Sequence, residues 1–218
     1  MTSRHPFATS PTQPALHALA ARWPVVGLVL AAVLTLAPPT EAQAPPELDE
    51  WKRQLVESID ARRELTADMV DQIFSYAELG FQEFETSRYL VDMLRANGFQ
   101  VEEGVAGIPT AWVATWGDGE PKVSLGTDID NIPKASQMPG VACRLPMVEG
   151  HNAGMAVQIT AALALKDLME REDLPGTIQI WPGVAEELVA TKAYYVREGV
   201  FDDVDIVLYA HVGSNLST

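Results

Sequence analysis

The hydrophobic period of this chain changes near residue 98, and that change restricts its fold more than any other feature. Before it, apolar residues recur at helical spacing: Trp51, Leu55, Val56 and Ile59, then Met69, Val70, Ile73 and Phe74, then Tyr89, Leu90, Met93 and Leu94. The spacing predicts a helix over 48–62, a second capped by Thr66 and ended by Leu79-Gly80, and a third opened by Thr86 or Ser87 and stopped by Asn97-Gly98. After it, short apolar runs at 99–102, 111–115, 123–129, 178–181 and 204–209 read as strands separated by Gly and Pro turns. Helical patterns intervene from 152 to 168, with Asn152 as a cap, and over 186–197, with Leu188, Ala190 and Tyr194 or Tyr195 toward the buried side. Such alternation predicts an α/β layer in which helices cover a sheet. Residues 131–150 read as irregular, interrupted by Pro133, Pro139 and Pro146.

The first 44 residues stand apart. Arg4 and Arg22 flank an apolar run over 24–38, and PTEAQA follows, ending in the small-x-small arrangement Ala42-Gln43-Ala44. That is the pattern of a secretory signal peptide, and the run is shorter than the roughly 20 apolar residues a membrane span needs. The expectation is export to the periplasm or beyond, with 45–218 as the mature chain and no stable membrane partner. Acidic residues outnumber basic ones 30 to 15, a formal charge of -15. That balance argues against nucleic acid and anionic lipid, which need clustered Lys and Arg. The single cysteine, Cys143, excludes an internal disulfide.

Polar residues fall at or just beyond the predicted strands: Asp128 and Asp130, Glu149 with His151, Glu186 with Glu187, and His211. Ligand sites of open α/β sheets gather at the C-terminal edge of the strands. His151 and His211 are the two histidines beyond residue 44. Carboxylate and imidazole without cysteine pairs suit a catalytic zinc, manganese or cobalt better than a structural zinc. Each signal also has a plain reading. A D-x-D at a strand end is a common turn, and Gly150-His151-Asn152 reads equally as a helix lead-in. Two glutamates at a helix start complement its dipole. His211, closing an apolar strand, has little packing reason to be there.

Five stretches together resemble one family: AELGFQEFETSRYLVDMLRANGFQVEEGVAGIPTAWVA, LGTDIDNIP, EGHNAG, GTIQIWPGVAEE and VLYAHVG. In this order they are similar to the dinuclear metal amidohydrolases of metallopeptidase clan MH. The likeness is greatest to the branch of the indole-acetyl-amino-acid hydrolases and the p-aminobenzoyl-glutamate hydrolases. The resemblance implies a zinc-exopeptidase-like α/β fold, a three-layer sandwich with a mostly parallel mixed sheet. Members continue past the HVG-like strand into a second, dimer-forming domain and return with a late histidine ligand. On this likeness 45–218 is expected to be the N-terminal portion of an incomplete catalytic domain.

Carried over by position, the resemblance makes His151, Glu187 and His211 metal ligands, with Glu149 where the branch has a cysteine ligand. Glu186 resembles the general base and Asp130 the aspartate that orients the site. Asp128 stands where other branches have a histidine ligand, a possible accessory donor. The implied cofactor is one or two divalent ions, zinc first, with manganese or cobalt as alternatives. The implied activity is hydrolysis of the amide bond in N-acyl or aminobenzoyl amino acids or small peptides. The rival expectation is a catalytically inactive family member that at most binds a metal or ligand.

Overall fold

The computed structural model describes residues 45–132 and 150–213. The segment read as a signal peptide, 1–44, lies outside the described residues, as do Cys143, Glu149 and nearly all of the irregular 131–150 stretch.

Three helices come first: α1 (Leu48–Ala61), α2 (Arg63–Tyr76) and α3 (Phe84–Ala96). Two of the expected starts are corrected. Thr66 lies inside α2, its hydroxyl donating to the Arg62 carbonyl one turn back, because α2 follows α1 after the single residue Arg62. α3 begins before Thr86, and its free amides at Glu85 and Thr86 donate to the distant Glu78 carboxylate instead of to a local cap. α1 has the amphipathic pattern but no buried residue, with Val56 and Ile59 exposed. α2 and α3 contribute Met69, Ile73, Leu90 and Leu94 to the core.

The sheet follows: β1 (Gln100–Glu103), β2 (Trp112–Asp118), β3 (Lys122–Asp128), then the long α4 (His151–Glu172) and β4 (Gly176–Gly183). Asn152 is the second residue of α4 and not its cap; Gly150, in the left-handed region, takes that place. The pattern over 186–197 is two helices, α5 (Glu186–Val189) and α6 (Lys192–Arg197), broken at Ala190, whose φ is +49°. Of the residues expected on its buried side only Tyr195 is buried; Leu188, Ala190 and Tyr194 are exposed. β5 (Ile206–Tyr209) closes the described chain.

The strand order is β1-β2-β4-β3-β5. β1 pairs with β2 and β2 with β4 antiparallel, whereas β3 runs parallel to both β4 and β5. The sheet is therefore mixed, and the expectation of a mostly parallel one is corrected. A parallel crossover needs about a dozen residues or more, and the link between β1 and β2 is too short to provide one, so these two form a hairpin.

Helices cover both faces. Thr127 of β3 meets Gly154 of α4, while Ser124, three residues earlier and so on the opposite face, accepts a hydrogen bond from the Trp181 indole. Trp181 in turn packs edge-on against Tyr195 of α6 and Phe201. The core lies on the α4 side, where Met155, Ile159, Ile178 and Ile180 are fully buried; each such side chain contributes about 1.5–3 kcal/mol. Among the described residues no helix is long and apolar enough to cross a membrane.

Candidate metal centre

β3, β4 and β5 run the same way, so their C-terminal ends share one edge, with Asp128 opposite Gly183. Ligand sites form at such edges because helix starts and strand ends converge there. Asp130 lies just past β3, His151 opens α4, Glu186 and Glu187 open α5, and His211 lies just past β5. Every residue singled out in the sequence therefore reaches this edge except Glu149, which is outside the described residues. A cavity of about 630 Å³ lined by Lys122, Gln179 and Asp203 opens at the other end of β3 and contains none of them.

The two histidines face each other. Buried His151 directs Nδ1 to the Asp130 carbonyl oxygen at 2.7 Å, and exposed His211 directs Nδ1 to the Val212 carbonyl oxygen at 2.8 Å. The Nε2 atoms stand 3.2 Å apart; in neutral rings whose Nδ1–H groups donate to these carbonyls, both Nε2 lone pairs point into that gap. Two lone pairs at that distance repel unless a cation lies between them. Two imidazole nitrogens on one tetrahedral zinc, each about 2.0–2.1 Å from it, are roughly 3.3 Å apart. The spacing fits a shared ion.

Carboxylates complete two overlapping donor sets. Asp128, His151 and His211 bring donor atoms within 4.8 Å of one another, and so do His151, Glu186 and Glu187. Asp130 supports both. Its Oδ2 accepts the Glu187 amide at 3.0 Å, while its buried Oδ1 has no hydrogen-bond partner among the described residues. Asp128 is fully buried; Oδ1 accepts from the Lys192 ammonium at 2.6 Å and Oδ2 from the Tyr209 hydroxyl. Burial pushes both aspartates above the usual carboxylate range, opposed by Lys192 at Asp128 and by the Glu187 amide at Asp130. Gly183 has to be glycine here, since a Cβ would lie 1.9 Å from Asp128 Oδ1.

The turn that carries Glu186 and Glu187 has support the sequence reading missed. Ala185 holds φ at +49° and donates its amide to Glu83 at 2.7 Å; Thr110 donates its hydroxyl to the other Glu83 oxygen at 2.8 Å. Glu83 is wholly buried, and desolvation raises its carboxyl above the ordinary range despite these bonds. The Thr191 hydroxyl closes the turn on the Val184 carbonyl. Lys192 and Tyr209 were also missed. Glu83 and Tyr209 do fall within the stretches that carried the family resemblance, the one available signal.

A mixed α/β sheet with imidazole and carboxylate donors at its C-terminal edge forms a candidate centre for a divalent metal. No family model matches the chain. It is 33% identical over 171 residues to a p-aminobenzoyl-glutamate hydrolase polypeptide of Escherichia coli, covering 75% of this chain and 36% of that one. It is 29% identical over 195 residues to N-acetyl-L-cysteine deacetylase of Bacillus subtilis, covering 82% of this chain and 40% of that one. Its fold is similar to that of the YXEP protein of Bacillus subtilis, a dinuclear metal-binding peptidase from the M20 family. The TM-score is 0.57 at 21% identity, over 72% of this chain and 45% of that one. The chain is homologous to the metal-dependent amidohydrolases and peptidases of clan MH, the M20 family among them. It spans about 36–40% of the length of these two curated relatives.

Proposed function

We propose that this protein hydrolyses the amide bond of N-acyl or aminobenzoyl amino acids, or of small peptides, at a centre of one or two divalent ions. The observation that carries the reading is the 3.2 Å approach of the His151 and His211 Nε2 atoms beside the Glu186-Glu187 turn. His151, His211 and Glu187 are the ligands, joined by Glu149. Zinc is the first choice, with manganese or cobalt as alternatives; the bound ion supplies Lewis acidity toward water and the scissile carbonyl.

The chain's own residues do the rest. Glu186 is half-buried beside His151 and takes the proton of the attacking water, then passes it to the leaving amine. Glu186 and Glu187 both bring a carboxylate oxygen close to His151; Glu187 would hold the ion and Glu186 would serve the water. Asp130 orients both sides of the site, fixing the His151 ring through its carbonyl and the Glu187 backbone through its carboxylate. The substrate class follows the two curated relatives, whose names specify an aminobenzoyl-glutamate and an N-acetyl amino acid. We place the protein in the periplasm or outside the cell on its N-terminal pattern.

Elemental mass spectrometry of the purified 218-residue chain tests the reading. One or two equivalents of metal are expected, lost when His151→Ala and His211→Ala are combined, together with hydrolysis of p-aminobenzoyl-glutamate or N-acetyl amino acids. A folded chain whose metal content ignores both substitutions overturns it.

A further inference from the structure

The two aspartates at the site differ in what is left for an ion to bind. Asp130 keeps one buried oxygen that has no hydrogen-bond partner among the described residues and lies 3.7 Å from His151 Nδ1. Asp128 lies close enough to both histidines to complete a donor set, yet each of its oxygens is already engaged, by the Lys192 ammonium and the Tyr209 hydroxyl. The same ammonium lies 3.4 Å from the Tyr209 oxygen, 5.2 Å from the centre of its ring and 3.7 Å from Glu186 Oε1. The break at Ala190 makes this possible. In one continuous helix Glu186 and Lys192, six positions apart, would diverge by about 120°; with α6 redirected, both reach the same strand ends.

We infer that Lys192 is a positioning residue. It is a fixed cation that claims Asp128, keeps it out of the metal's ligand set and holds Glu186 by charge at the mouth of the site. The inference rests on the function proposed above and divides the donors it names. His151 belongs to both donor sets, with His211 and Asp128 in one and with Glu186 and Glu187 in the other, and of these carboxylates Asp128 is the one bonded to Lys192. An ion reaching Asp128 would have to displace an ammonium that is bonded at 2.6 Å and only 29% exposed. It would leave two like charges side by side.

Two measurements on the full chain test it. First, urea unfolding without metal compares wild type, Asp128→Asn, Lys192→Met and the double variant; strong coupling between the two sites is expected. Second, cobalt(II) titration reads affinity and visible spectrum. Asp128→Asn and Lys192→Arg should match wild type within about twofold, against the 10–100-fold losses typical when metal-site support is removed. Lys192→Met frees Asp128 Oδ1 and should bind cobalt tighter than wild type, with an altered spectrum; the altered spectrum should vanish when Asp128→Asn is added, whereas loss of the lysine's charge alone would leave the spectrum unchanged. Asp128→Asn losing cobalt as His211→Ala does overturns the inference, as does Lys192→Met binding no tighter than wild type. Absent coupling in a chain that binds cobalt overturns it alone. A wild type that binds no cobalt overturns the functional reading first, and the exclusion of Asp128 with it.

Discussion

Strands β4 and β5 both carry large apolar residues, both run parallel to β3 and both are hydrogen-bonded to it, yet every residue of β4, Thr177 and Gln179 included, is buried and every residue of β5 is exposed. The difference is position. β4 has a strand on each side and helices over both faces; β5 has β3 on one side and, among the described residues, nothing on the other. Apolarity therefore marks a strand without saying how firmly it is held. The candidate site straddles the contrast, with Glu186 and Glu187 following the buried strand and His211 following the exposed one. One half of the donor set is anchored by the core; the other is held by one ladder and by side-chain bonds, Gln158 to the Leu208 carbonyl, Thr127 to the Ala210 carbonyl and Tyr209 to Asp128.

The largest test of that contrast is truncation on each strand. Ile180→Ala should cost about 2–5 kcal/mol in urea unfolding, and Leu208→Ala, 52% exposed, less than about 1 kcal/mol. Equal costs would mean that β5 is as well packed as β4. Next, zinc at a hundred times its dissociation constant should stabilise the chain by about 2.7 kcal/mol, an effect absent when His151→Ala and His211→Ala are combined. Hydrogen exchange sharpens the point, since zinc should slow the β5 amides far more than those of β4, which are protected already.

Glu83 gives a smaller effect with a definite sign. Glu83→Ala should cost about 1–3 kcal/mol by stranding the Ala185 amide and the Thr110 hydroxyl. Because burial raises this carboxyl, the folded chain binds its proton more tightly than the unfolded chain. Stability from Glu83 is then full below the ordinary carboxylate range and falls as pH rises through the raised folded value. Glu83→Gln should make that slope shallower in unfolding curves taken across pH, leaving the shares of Asp128 and Asp130. The smallest test is Ala190→Gly. In a helix interior glycine costs about 1 kcal/mol; at φ +49° the left-handed strain it relieves is about 1–2 kcal/mol, so the variant should be as stable as wild type or more so.

The places of the candidate site residues were legible because they sit where periodicity ends, whereas their roles came from the family resemblance alone. Asp128, Asp130, Glu186, Glu187 and His211 are placed by the ends of apolar runs, which a sequence displays directly. Glu83, Lys192 and Tyr209 were not legible, because each acquires its role from a partner 64 to 102 positions away. The break at Ala190 was hidden too, since a left-handed alanine inside a segment of helical pattern leaves no mark in the sequence. The antiparallel pairing of β1 with β2 was not read, although the short link between them is the signal that could have shown it. The insertion of β4 between β2 and β3 leaves no local trace.

The turn bearing Glu186 and Glu187 has a kinetic consequence. Its fixed points are Glu83, 102 positions from Ala185, and Asp130, 57 positions from Glu187, and alanines in left-handed backbone flank its one-turn helix. A segment with so little local preference and such distant supports closes its loops late. In refolding, metal uptake should therefore trail the recovery of helix and sheet. Completion of the centre becomes the closing event of the fold.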